Sequence, residues 1–228
     1  IKSIANITVR LVPFMVVIYL VLACLVLLVN FTAIPAAFAL IFKTAFTMEG
    51  VSGGFIGIMI LGFQRAAFSN EAGLGSAAIA HAAVQTDEPL SEGFVALLEP
   101  FIDTVVICTL TGWVLVITLP TEALMSSGMS GIELTSSAFA ENFSWAPVPL
   151  SFVAMIFAFS TMLAWAYYGI KGWTYLVGEG KNKEKAFGLV FCLFIIIGAS
   201  IKLDTVLEFA DAMIFIMAIP NLIGLYIL

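Results

Sequence analysis

The run from Val51 to Gln85 is apolar at both ends and polar in the middle, and that pattern leaves few folds open. Val51 to Phe68 is apolar and glycine-rich, and Ala77 to Val84 is small and apolar; between them stand Ser69-Asn70-Glu71-Ala72-Gly73-Leu74-Gly75-Ser76. As one unbroken helix the run would be about 52 Å long at 1.5 Å per residue, whereas a bilayer core is only about 30 Å thick. Lipid penalises exposed backbone and a bare carboxylate such as Glu71, so protein or a water-filled cavity has to line the insert. The economical reading is a discontinuous helix: half-helices over 51–68 and 76–85 meet at an unwound hinge, and the hinge is a binding site.

That reading presupposes a membrane, and composition supplies it. Of the 228 residues 62% are hydrophobic and 11% charged, against about 25% charged in a soluble domain. Nine Lys and Arg spread over the whole chain do not form the basic face that nucleic acid requires. Cys24, Cys108 and Cys192 lie far apart inside apolar runs, which predicts buried structural thiols rather than a metal site. With no initiator Met, no signal peptide and a last apolar run that stops at Leu228, the chain reads as a piece of a longer protein.

Taken in order, apolar runs predict spans at 11–30, at the broken segment 51–68 and 76–85, and at 94–119, 148–170, 186–201 and 205–228. Ala33 to Phe46 is amphipathic but short and predicts a helix at the membrane surface. An acidic turn is expected over 86–93, a loop with a short helix around 131–141 between Pro120 and Pro147, and a basic loop from Lys171 to Lys185. If each run crosses once, Lys2, Arg10, Lys171, Lys181, Lys183 and Lys185 share one side and outnumber Lys43 and Lys202 on the other. The richer side is expected to be cytoplasmic.

Within the spans stand Arg65, Glu71, His81, Glu99, Asp103 and Asp211. Intramembrane ionisable groups are expensive, so each needs a pairing or a function. Arg65 can neutralise Glu71 or Glu99, and Glu71 can cap N–H groups freed at the hinge. His81 reads as a packing histidine. Glu99 and Asp103 share a helix face and would repel unless a cation, Arg65 or backbone donors compensate. Gly73 and Gly75 permit unwinding, which exposes carbonyls that hold a cation and N–H groups that hold a carboxylate. A ligand bearing both charges, an amino acid, fits such a hinge. Upstream, Gly53, Gly54, Gly57 and Gly62 offer a smooth face for helix packing. Ser160 and Thr161, mid-span after Phe157-Ala158-Phe159, either back-bond to the preceding turn or aim oxygens at a hard cation such as sodium.

The stretch Gln64-Arg65-Ala66-Ala67-Phe68-Ser69-Asn70-Glu71-Ala72-Gly73-Leu74-Gly75-Ser76-Ala77, with Ala80-His81-Ala82-Ala83 after it, resembles the signature of the alanine or glycine:cation symporter family, the bacterial sodium:alanine symporters. Glu99-Pro100-Phe101-Ile102-Asp103-Thr104, Ile107-Cys108-Thr109, Phe157-Ala158-Phe159-Ser160-Thr161 and Trp165-Ala166-Tyr167-Tyr168-Gly169 are similar to that family too, and the likeness runs from Ile1 to Leu228. The resemblance implies an all-α polytopic membrane protein of LeuT-type fold, five plus five helices in inverted repeat. This chain would supply the last helix of repeat one and most of repeat two.

By that likeness Phe68, Ser69, Asn70, Gly73, Gly75 and Ser76 would line the amino-acid site. Ser160, Thr161 and the Phe157 carbonyl would hold sodium, and Arg65, Glu71, Glu99 and Asp103 would serve structure or coupling. The activity implied is sodium-coupled symport of alanine, or a similar small neutral amino acid such as glycine, across the bacterial plasma membrane by alternating access. The partners implied are the amino acid, Na+, the lipid bilayer and the other half of the same transporter, with sodium as coupling ion and no further cofactor. Proton coupling through Glu99 or Asp103 is the alternative within that class. A channel would want a ring of like side chains, and none is visible. An enzyme is disfavoured because Ser76 and His81, five apart, point about 140° away from each other on a helix.

Overall fold

The computed structural model describes residues 2–45, 55–71, 73–120, 129 and 131–227. The described residues are helical throughout, with no strand among them. The helices are α1 (Lys2–Val29), α2 (Ile34–Ala45), α3 (Phe55–Asn70), α4 (Ser76–His81), α5 (Pro89–Pro100), α6 (Thr109–Thr118), α7 (Ile132–Asn142), α8 (Pro147–Val177), α9 (Lys181–Ala199) and α10 (Leu203–Ile227). A π-helical stretch, Phe101–Cys108, joins α5 to α6 without a break. Its cause is local. Pro100 lacks the N–H that would reach back to Ala96, and the chain continues in the wider i to i+5 register.

Among the described residues four stretches are long and apolar enough to cross a membrane: Arg10–Val29, Pro89–Thr118, Pro147–Val177 and Leu203–Ile227. Their helices overrun the expected spans, because bilayer thickness limits the apolar run but not the helix, which continues into water while its backbone bonds stay satisfied. Two expected loops are therefore mostly helix. Pro89 is the first residue of α5, where its missing N–H has no helical partner to lose. The basic loop shrinks to Gly178-Glu179-Gly180, with Lys171 on α8 and Lys181, Lys183 and Lys185 on α9. The expected start of the broken helix at Val51, with Gly53 and Gly54, lies outside the described residues.

The chain divides into two compact units. The first comprises Ile1–Ala66 and Glu99–Thr161. Its core joins Leu22, Ala23 and Val26 of α1 to Val114 of α6, Phe139 of α7 and Leu150 of α8, all nearly inaccessible. The three α1 residues recur at helical spacing and make one stripe. Where lipid surrounds a bundle, close van der Waals contact along such stripes and interhelical hydrogen bonds, rather than water exclusion, hold helices together. Two polar links reinforce it: Asn30 Nδ2 donates to Asn142 Oδ1 at 2.7 Å, and Tyr19 and Thr111 share a hydroxyl–hydroxyl hydrogen bond.

The second unit comprises Ala67–Leu98 and Met162–Leu228. Here α8 and α9 form a tight hairpin. Trp173 meets Phe187 at 6.1 Å between ring centroids with the rings tilted, and donates Nε1–H to the Lys183 carbonyl at 3.0 Å.

The cysteines depart from expectation. Cys24, Cys108 and Cys192 are exposed on the surface of this chain. An apolar run marks burial in a soluble protein, but in a membrane helix the outward face is apolar as well, so the run does not separate core from lipid contact. Gly62 likewise meets no packed neighbour among the described residues.

Candidate functional site

Helix α3 ends at Asn70 and helical structure resumes at Ser76. Between them the backbone turns through left-handed conformations at Glu71 (φ 54°), Gly73 (φ 78°) and Gly75 (φ 96°). Glycine adopts such angles readily. Glu71 does not: it is the one non-glycine residue with positive φ among the described residues, and the conformation costs an L-residue roughly 1–2 kcal/mol. One internal hydrogen bond, Leu74 N–H to the Glu71 carbonyl at 3.3 Å, spans the turn. Strain of this kind persists only where surrounding structure holds it in place.

The holding comes from α10. Asn221 Nδ2 donates to the Gly73 carbonyl at 3.0 Å. A Cβ added at Gly75 would stand 3.2 Å from Asn221 Cβ, and one at Gly73 3.7 Å from Leu222 Cδ2. Before the break, Phe68 meets Phe215 edge-on at 5.9 Å between ring centroids. Asn221 is absent from the residues singled out by sequence. Its signal was a lone amide after Pro220 in an apolar helix, which says nothing about which segment the amide faces.

Of the residues expected to line the hinge, Asn70 and Ser76 are buried, Phe68, Gly73 and Gly75 are half-buried and Ser69 is exposed. Ser76 is only 1% exposed, and its Oγ has no hydrogen-bond partner among the described residues. A buried hydroxyl without a partner costs about 1–3 kcal/mol. The helix that Ser76 begins has only six residues and ends at His81, short of the expected Gln85. So short a segment carries little aligned dipole.

In the first unit Ser160 is buried and donates to the Phe157 carbonyl at 2.8 Å. Two of the three oxygens expected to meet sodium are thereby together, in the back-bonded arrangement that serine adopts within helices. Thr161 is exposed beside them. Asp103 sits half-buried in the π-helical stretch, accepting from Thr104 Oγ1 at 3.4 Å, while Arg65 and Glu99 are exposed. Asp211 lies half-buried on α10. His81, expected to be a satisfied packing residue, has its partner in a carboxylate: its Nδ1 lies 2.6 Å from Glu92 Oε1, joining the end of α4 to the first turns of α5.

Residues 1–228 match the family model described as the sodium:alanine symporter family. The chain is 39% identical to the sodium/alanine symporter AgcS of Methanococcus maripaludis, over 100% of this chain and 50% of that protein. It is 33% identical to the amino-acid carrier protein AlsT of Bacillus subtilis, over 100% of this chain and 48% of AlsT. It is also 33% identical to a Bacillus subtilis protein named "Probable sodium/glutamine symporter GlnT", over 100% of this chain and 47% of that protein. The chain thus spans about half the length of the curated relatives it matches.

Proposed function

The chain belongs to the sodium:alanine symporter family, a multi-pass membrane family of transporters rather than enzymes, and from that premise we propose that its hinge is the amino-acid site of a sodium-coupled symporter. The substrate is alanine or a similar small neutral amino acid, moved by alternating access through a LeuT-type fold of which this chain forms the second half. In this reading α3 and α4 are one discontinuous membrane helix. Phe68, Ser69, Asn70, Gly73, Gly75 and Ser76 surround the amino acid, while the Phe157 carbonyl, Ser160 and Thr161 bind the sodium ion. Arg65, Glu71, Glu99 and Asp103 serve structure or coupling.

The observation that carries this reading is the buried Ser76 hydroxyl, which has no hydrogen-bond partner among the described residues and directly follows a strained turn. A carboxylate arriving at the turn accepts from that hydroxyl and from the unwound N–H groups, so the deficit of the empty site becomes affinity in the loaded one. A small side chain suits a turn crowded by Asn221 and Leu222. The name of AgcS supports alanine and that of GlnT supports glutamine.

The test is uptake of labelled alanine by the full-length protein in proteoliposomes, with and without an inward sodium gradient. Uptake should need sodium and be competed by unlabelled alanine, with glycine and glutamine ranking the specificity. Uptake driven equally by a proton gradient without sodium would overturn the coupling, and no accumulation of any of the three would overturn the substrate class.

A further inference from the structure

We propose that Asn221 is a positioning residue for the hinge: its side-chain amide latches the unwound backbone into the one conformation that binds the amino acid. This rests on the reading of the hinge as the amino-acid site. The turn from Glu71 to Gly75 has left-handed residues at 71, 73 and 75 and, among the described residues, one hydrogen bond of its own at 3.3 Å. Were such a turn free to take other conformations, binding to one of them would be weakened by the fraction of time spent in the others. A donor from another helix, fixed to the carbonyl at the middle of the turn, removes those alternatives.

Asn221 meets the requirement in three ways. Its Nδ2 lies 3.0 Å from the Gly73 oxygen. A Cβ added at Gly75 would stand 3.2 Å from its Cβ, so the turn passes α10 where only a glycine fits without displacing it. It also sits on a helix already registered against α3, because Phe215 packs on Phe68 just before the break. The same helix therefore meets the chain just before the unwound residues and again within them. Pro220, one residue earlier, lacks the N–H that would bond to the Ile216 carbonyl. The backbone of α10 is thus less tightly tied where the amide has to reach.

The experiment compares N221A, the isosteric N221D and S76A in the full-length transporter. Alanine KM, maximal rate and half-saturating sodium are measured in proteoliposomes, and hydrogen exchange of the hinge amides in the purified protein. N221D keeps the shape against Gly75 and removes the N–H donor, so it carries the test if N221A does not assemble. Losing one neutral hydrogen bond that fixes the turn should raise alanine KM about 3- to 10-fold at saturating sodium. Half-saturating sodium should stay within twofold, and exchange should speed up in the hinge but not in α9. A merely structural residue would lower the amount of folded transporter and leave KM alone. If S76A raises alanine KM while both Asn221 variants leave KM and hinge exchange unchanged, the hinge is the site and the latch is overturned. If S76A also leaves alanine KM unchanged, the reading of the hinge itself fails, and the latch with it.

Discussion

A methyl group placed on Gly75 would lie 3.2 Å from the Cβ of Asn221, on a backbone already at φ +96°. Gly75→Ala therefore meets two penalties, left-handed strain and overpacking. Together they should destabilise the full-length protein by about 2–4 kcal/mol. Thermal unfolding in detergent reads the loss, and an unfolding temperature equal to the wild type would show that the turn is not built as described.

The His81–Glu92 pair ties the short helix after the hinge to α5. The two side chains are 29% and 19% exposed, so solvent screens part of the attraction and a coupling of about 1 kcal/mol is expected. A double-mutant cycle of H81A and E92A, read by chemical unfolding, measures it. Additive single effects would mean that the contact contributes nothing.

Replacing Ser160 and Thr161 together by alanine should raise the sodium concentration needed for half-maximal alanine uptake. A contact with a charged partner is worth roughly 1.5–3 kcal/mol, about ten- to more than a hundredfold in affinity. Ser160 can contribute while keeping its bond, since the hydroxyl donates its hydrogen to the Phe157 carbonyl and its lone pairs stay available to the ion. Unchanged sodium dependence in the double variant would reduce both hydroxyls to helix-internal donors.

Orientation follows from the lysines. The Gly178–Gly180 turn and its flanking Lys171, Lys181, Lys183 and Lys185 should be cytoplasmic, and the segment between Pro120 and Pro147 external. Single cysteines labelled in intact cells test this, after Cys24, Cys108 and Cys192 are removed because all three are exposed. Labelling near Glu179 by an impermeant thiol reagent would reverse the topology.

Some of this was legible in the residues and some was not. The interruption of helix between Asn70 and Ser76 falls inside the polar insert, because side chains that lipid rejects and glycines that relax the backbone coincide there. Asn221 was illegible because a single amide on an apolar helix carries no mark of the segment it will meet 148 residues away. The pairing of His81 was hidden for the same reason: Glu92 lay in what read as a loop until Pro89 proved to start a helix. The cysteines failed on a different ground. Periodicity reports which side of a helix is apolar, and in a membrane both the core and the lipid are apolar.

The most direct test of the hinge as the amino-acid site is thermal unfolding of full-length Ser76→Ala, with and without saturating alanine in sodium. Removing a buried hydroxyl that has no partner should leave the empty protein as stable as the wild type or more stable, by about 1 kcal/mol. The same change should shrink the stabilisation that alanine confers, since that stabilisation follows the ratio of ligand concentration to Kd. An alanine-dependent shift as large as that of the wild type would contradict the account.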